Sequence, residues 1–503
     1  MDKSVFNWCD WTVFAFYLIG IFMLGAFFAK RQTSTREFFK AGGRLGWFPV
    51  MVSLIASIFS GISFIGQPGR IFRSDASLLI SVYIVTVFSF PAVAYVLLPF
   101  YRKLDVTTAY EYLEKRFSIH VRLLGSVFFI LQRFVWMTLV VLAPSLLLSV
   151  MLNIRVEYCI LMIGILSTGY TALGGMAAVI WTDVAQFFIL IIGQVLILGI
   201  VTMRLDGGFM QVLQTSVADN KIFGSMAIDF TKPTFWTVLI TGLLLGLGKG
   251  VDQVNVQRLM AARDNDQAKK SLLYIVIFEF PRLLLLGLMG LSLYAFYVAF
   301  PDSLNSNVMA HTDTIILHFV ATEVPTGIRA VIVAAIFAAA MSSFDSGLNC
   351  LAATITVDWR RRLARVDRTD RQYTAFAKLL SLLLGIGITL GAIVIYKSDI
   401  KSIVDASMKY VGFLFGPLVG IFILGIATRR ARSWPVIIAA LISVAVVGTL
   451  DVLNHFRPTG QKIVSVYTYG SITVILTILI GYIGSLFGKQ VPAEQVREYT
   501  LLN

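Results

Sequence analysis

Charge is what this sequence has little of. Asp, Glu, Lys and Arg make up 14% of its 503 residues, against 57% hydrophobic, too few to solvate a chain of this length in water. Cysteine is nearly absent. Cys9, Cys159 and Cys350 lie far apart and form no C-x-x-C pair, which argues against a disulfide framework or a thiolate metal centre. Each sits in or beside an apolar segment, so buried free thiols are expected. The four histidines, His120, His311, His318 and His455, are equally scattered and suggest no metal site. With no nucleophile–base spacing and no P-loop, neither an enzyme nor a cofactor is expected. Short segments of alternating hydrophobicity are also missing, which argues against a transmembrane barrel. The first apolar run ends in Lys30-Arg31 without a small-residue cleavage site, so a retained helix is expected there. The polar stretch after Gly488 is short for an appended signalling domain.

What is present is apolar sequence in runs of about 20 residues, the length a helix needs to cross a bilayer. Mean hydropathy is +0.81. The expected fold is an all-α polytopic membrane protein. Spans are expected at about 11–29, 46–66, 77–100, 123–152, 157–173, 178–203, 235–256, 272–300, 326–356, 379–396, 403–427, 436–453 and 466–487. That is about thirteen helices, with a Gly174-Gly175 turn between the fifth and sixth and a polar stretch over about 204–233. Basic residues gather in alternate loops, as at Lys30, Arg31, Arg36, Lys40 and Arg44, and again at Arg360-Arg361-Arg362. The net charge of +14 is therefore a positive-inside bias and implies no nucleic acid partner. It places the N-terminus outside and the C-terminus inside.

One apolar stretch, Ala334 to Asn349, breaks its own rule. It packs Ser342, Ser343, Asp345 and Ser346 into five positions after a run of alanines. On a helix Ser342, Asp345 and Ser346 share a face, and the small residues let a neighbouring backbone come close. Serines alone would serve as helix glue. A carboxylate at bilayer depth costs about 2.5–3.5 kcal/mol on insertion scales and points instead to a cavity or an ion. Hard oxygens converging there suit a small hard cation such as Na⁺. Two further segments, near Ile55–Ser63 and Gly242–Gly250, are interrupted by Gly and Ser and lie five helices apart. Paired broken helices of this kind mark the midplane site of inverted-repeat transporters.

Three stretches together resemble the sodium:solute symporter family. They are Gly46-Trp47-Phe48-Pro49 through Ser60-Gly61-Ile62-Ser63-Phe64, Tyr170-Thr171-Ala172-Leu173-Gly174-Gly175 through Trp181-Thr182-Asp183, and Ala338 to Asn349. The segment Asp252-Gln253-Val254-Asn255-Val256-Gln257-Arg258 is similar as well. The resemblance implies a leucine-transporter-like fold of two inverted five-helix repeats. It divides the chain into an extra helix and loop (1–45), a transport core (46–427, with repeats at about 46–203 and 235–427) and two closing helices with a short tail (428–503). It also implies a Na⁺ site made of the carbonyls of Ala56, Phe59 and Ala339 with the hydroxyls of Ser342 and Ser343. Some members hold a second cation, at positions that are here Asp183, Ser342, Asp345 and Ser346.

Asp345 stands where sialic-acid-transporting members have a serine. It could strengthen a cation site, carry a proton, pair with a cationic substrate, or pair with a Lys or Arg. The substrate is expected beside the first broken helix, near Ile58, Ser60 and Ser63. Val82 and Trp136 replace the Gln and Arg of sialic-acid-transporting members. Arg133, one turn from Trp136, could hold a substrate carboxylate, pair with Glu279, or snorkel. The function implied is Na⁺-coupled import of a small organic anion (monocarboxylate, vitamin-like or sialic acid-like) across the cell membrane, by a chain that works as a monomer. Proton coupling in the same fold, or sodium-coupled transport of an amino acid or sugar, is the alternative.

Overall fold

The computed structural model describes residues 6–29, 32, 34–224, 226–304, 314–366, 368–398, 403–457, 462–489 and 496–501. Lys30, Arg31 and His311 lie outside them. Among the described residues there is no strand, only an isolated bridge between Leu45 and Ala262. In lipid every backbone amide and carbonyl has to be satisfied within its own segment, and helices do this.

The helices are α1 (Trp8–Ala29), α2 (Thr35–Lys40), α3 (Trp47–Ile58), α4 (Gly61–Arg73), α5 (Ser77–Leu104), α6 (Tyr110–Arg116), α7 (Ile119–Leu152) and α8 (Val156–Arg204). They continue as α9 (Gly208–Ala218), α10 (Phe235–Leu244), α11 (Gln253–Ala261), α12 (Asn265–Ala299), α13 (Ile315–Thr322) and α14 (Ile328–Arg361). The chain closes with α15 (Asp370–Lys397), α16 (Ile403–Ala427), α17 (Ser433–His455) and α18 (Tyr469–Leu486). Ten of the described helices are long and apolar enough to cross a membrane, or eleven when α3 and α4 count as one bent span. The protein is thus a multi-span membrane protein.

The sequence-based count of thirteen differs because two expected spans do not stand as separate long helices. The fifth and sixth are continuous in α8, and the seventh is split into α10 and α11. Helices α9 and α13 add short turns that hydropathy does not signal. α8 cannot be one straight rod, since its 49 residues would reach about 74 Å at 1.5 Å per residue. It breaks at Gly175, whose φ of 59° and ψ of −162° are accessible to glycine alone. Before the break Gly164 faces Thr389 and Thr168 faces Gly385, moving toward the start of α15. Tyr170 and Thr171, before it, bond to Asp345 on α14, and Asp183, thirteen residues after Tyr170, shares Arg258 with Ser346, the very next residue of α14; further on, Gly193 faces Ala335. The chain reverses direction there.

Burial sorts the helices. In α14 94% of the apolar window is buried, against 17% in α1 and 28% in α15. α14 is the central post of the bundle, and α1 and α15 turn Phe16, Ile19, Met23, Leu379, Leu383 and Leu390 outward where lipid would lie. The uncharged alanines of α14 are therefore core, and its serines and aspartate have to find partners inside the protein.

Candidate ion and solute sites

Backbone geometry builds the first site. α3 ends at Ile58, Phe59 is extended (φ −89°, ψ 92°), and α4 starts after Ser60 at an angle of 58°. In an unbroken helix the Ser63 N–H would take the Phe59 carbonyl; here it donates to Ser60 Oγ at 3.3 Å. The break thus leaves carbonyls of its last turn without helical donors. Against it lies α14, close because Gly61 faces Ala340. The Ser342 hydroxyl sits between two carbonyls, 3.2 Å from Ala56 O and 3.2 Å from Ala339 O. The next hydroxyl, Ser343 Oγ, is buried and has no hydrogen-bond partner among the described residues. A buried hydroxyl without a partner is rare enough to need a cause, and an oxygen-seeking cation is one.

Deeper along α14 the polar groups follow a different plan. Arg258, on α11, is fully buried and extends its guanidinium to Asp183 Oδ2 (2.8 Å), Ser53 Oγ (2.7 Å), Val254 O (2.9 Å) and Ser346 Oγ. Ser53 in turn donates to Asp183 Oδ2 at 2.5 Å, and Ser346 to the Ser342 carbonyl at 2.5 Å. Asp345 accepts hydrogen bonds from Tyr170 and from Thr171 Oγ1 (2.9 Å) and forms no ion pair among the described residues. Of the four residues expected around a second cation, Asp183, Ser346 and Ser342 are joined through Arg258 in one buried network, and Asp345 lies beside it with its own hydroxyl partners. A protein cation, Arg258, already holds one oxygen of Asp183, and the other, Oδ1, has no partner.

A cavity of about 350 Å³, a size suited to a small molecule, lies between the two broken helices. Both broken helices contribute, Ser57 and Ile58 from the first and Gly246 to Asn255 from the second. Val82, Gln132, Arg133 and Trp136 complete its walls with residues of α16. Of the expected substrate residues, Ile58, Val82, Arg133 and Trp136 line the cavity. Ser60 and Ser63 do not; their hydroxyls face each other at 3.4 Å beside the α4 cap. Arg133 pairs with Asp252 and not with Glu279. Glu279 is taken by Arg282, one turn along the same helix, with Nε 2.7 Å from Oε2. The Arg282 guanidinium also lies 4.5 Å over the Phe59 ring, which ties α12 to the first break.

Sequence reading missed Arg258, Tyr170, Thr171, Ser53 and Gln132 as members of these sites. A signal existed for the first four. All lie in the family-like stretches, as does Gln257, which reaches from α11 to Asn349 (2.6 Å) and the Phe39 carbonyl (2.8 Å).

Residues 38–446 match the profile of the sodium:solute symporter family. The chain belongs to that family. It is a sodium-coupled solute transporter of the membrane, and not an enzyme. The sodium/sialic acid symporter NanT of Aliivibrio fischeri is 30% identical over 99% of this chain and 97% of its own. The sodium-dependent multivitamin transporter of Oryctolagus cuniculus is 31% identical over 84% of this chain and 67% of its own. A solved structure of a Na⁺-coupled sialic acid symporter, substrate-bound and outward-open, is similar with a TM-score of 0.88 at 29% identity. That likeness covers 96% of this chain and all of that one.

Proposed function

We propose that this symporter imports a small organic anion across the cell membrane, driven by Na⁺ bound between α3 and α14, with no cofactor. The ligands in this reading are the carbonyls of Ala56, Phe59 and Ala339 and the hydroxyls of Ser342 and Ser343. The observation that carries it is the pair of hydroxyls facing the broken helix, one spanning the Ala56 and Ala339 carbonyls and the other, Ser343, buried without a partner. Na⁺ there would join two elements that move relative to one another in alternating access. By binding one arrangement better it shifts the equilibrium toward the solute-competent state, and by linkage the solute favours Na⁺ in return.

The same reading counts thirteen spans, N-terminus outside and C-terminus inside, with repeats at about 46–203 and 235–427. It takes α8 as two spans divided at Gly175 and α10 with α11 as one broken span, the counterpart of α3 with α4. The unit of function is the monomer. At the second cation position, an ion would have to share Asp183 with Arg258 and would take the unpaired Oδ1.

For the solute, an anion fits the surplus of basic groups around the cavity, and similar proteins are named for sialic acid and for monocarboxylates. Val82 and Trp136 give this cavity apolar walls where the resemblance puts Gln and Arg in sialic-acid-transporting members, which favours a less polar carboxylate. The test is uptake into proteoliposomes of lactate, pantothenate, proline and sialic acid, with and without an inward Na⁺ gradient. Accumulation of one anion only with the gradient supports the reading. Uptake that ignores Na⁺ and follows a proton gradient would replace it with proton coupling, for which Asp345 is the candidate carrier. What favours that second reading is a fully buried carboxylate hydrogen-bonded only by hydroxyls.

A further inference from the structure

The second broken helix carries a charge that the transport cycle described above does not use. Between α10 and α11 the chain makes a tight turn over Gly246–Gly250, held open by the Asn255 side chain donating to the Lys249 carbonyl at 2.7 Å. Lys249 is half-buried on that turn and lines the cavity. Four charged groups surround it: Glu279, Asp252, Arg282 and Arg133. They are already matched, Arg133 with Asp252 and Arg282 with Glu279. The Lys249 ammonium forms no ion pair and no hydrogen bond among the described residues. Three cations thus stand with two carboxylates at membrane depth, and the unmatched one, half-buried, is on the cavity wall.

An ionised group at membrane depth pairs with another group or faces a water-filled path, and it marks a substrate or ion route. From this we infer that Lys249 is the group that binds the anionic end of the solute, and that the solute is a monoanion. Arg133, the anion-binding candidate from sequence, is neutralised by Asp252 and serves instead to hold α7 against the second break. A single net positive charge selects against two kinds of competitor. A neutral isostere leaves the ammonium buried and unpaired, and a dianion brings a second charge for which the wall has no match. The remaining polar handles suit the rest of a small hydroxy- or amido-carboxylate. Gln132 Oε1 is buried without a partner, and so is Arg133 Nε. The Trp136 ring supplies an apolar wall.

This inference rests on the proposed symport, and its test separates the two. Wild type, Lys249→Met and Lys249→Arg are reconstituted, and Na⁺-driven uptake is measured for lactate, pantothenate, sialic acid, lactamide, malonate and choline. The expected result is accumulation of at least one monocarboxylate, with KM for it raised tenfold or more in Lys249→Met and within about threefold of wild type in Lys249→Arg. Half-saturating Na⁺, measured at saturating solute, should stay the same in all three, since the ion site is elsewhere. Lys249→Met should also be at least as heat-stable as wild type without solute, because it removes an unmatched charge; a lysine with a purely structural role would lose stability. A wild-type KM in Lys249→Met overturns the assignment. So does Na⁺-driven uptake of lactamide, malonate or choline with no monocarboxylate accumulated, an outcome that leaves symport standing. Absence of Na⁺-driven uptake for every compound overturns the symport reading and this inference with it.

Discussion

The two breaks in the helices face one cavity region but are built from different chemistry. At the first, between α3 and α4, the groups aimed at the gap are neutral: backbone carbonyls and the hydroxyls of Ser342 and Ser343. The formal charges nearby are one cation, Arg258, against two carboxylates, Asp183 and Asp345, a net of −1. At the second, two cations, Arg133 and Lys249, stand with one carboxylate, Asp252, a net of +1, beside the self-cancelling Glu279–Arg282 pair. A metal cation brings its own charge and needs oxygens and a mildly negative surround. An organic anion needs a fixed positive group. In the proposed reading the same structural device, a helix interrupted at membrane depth, serves opposite charges through the side chains placed around it.

The largest effect should come from breaking the charge balance on the ion side. Arg258→Met leaves Asp183 buried without its cation, and losing one partner of a buried pair costs about 3–5 kcal/mol. Little folded protein is expected in detergent, which size-exclusion chromatography would report; the double variant Arg258→Met with Asp183→Asn should recover much of it. If the single variant is as abundant as wild type, the pair does not support the core. Next in size is Ser343→Ala. Removing a ligand hydroxyl should raise half-saturating Na⁺ about tenfold or more, with KM for solute at saturating Na⁺ nearly unchanged. Unaltered sodium dependence would sink the ion-site assignment. On the solute side Asp252→Asn keeps the α11 cap, since its Oδ1 accepts the Val254 N–H at 3.0 Å and Asn caps as well. It releases Arg133 and raises the wall to +2. Competition assays should then show dicarboxylates inhibiting uptake several-fold better than in wild type, and no change in their potency would contradict the charge count.

The sequence made this contrast only half visible. The proximity of the residues on the proposed ion side was legible because its signal is local: three serines and an aspartate within five positions of α14, and a Gly/Ser interruption in an otherwise apolar helix. Four of the six expected solute residues also reach the cavity. Partners that meet across the bundle were not legible. Nothing in the spacing of Asp183 and Arg258, or of Arg133 and Asp252, announces that they meet; each pair is separated by several helices. Glu279 and Arg282 were the reverse case. Their one-turn spacing was readable, but Arg133 competed for the same acid on paper, and only the packing of α7 against the second break decides between them. Lys249 lies within the interrupted Gly242–Gly250 segment, and its significance is a lack of partners that no sequence displays. The short α9 and α13 escaped because helices of 11 and 8 residues carry too little periodic signal.

The smallest predicted effect concerns the glycines themselves, one at each break. A Cβ on Gly61 would lie 3.4 Å from Ala340 Cβ and 3.6 Å from Pro144 Cδ, contacts that ask little of their neighbours. A Cβ on Gly248 would come within 2.6 Å of Phe415 Cε1 and 2.9 Å of Val419 Cγ2, so the Phe415 ring has to move. Gly61→Ala should therefore change thermal stability by no more than about 0.5 kcal/mol. Gly248→Ala should lose about 1–3 kcal/mol, the usual range for overpacking. Phe415 also lines the cavity, so its displacement should raise solute KM while half-saturating Na⁺ stays put. Thermal unfolding in detergent together with uptake kinetics would read both. Equal losses from the two substitutions would mean that the breaks are packed alike, and that the contrast between them is one of charge alone.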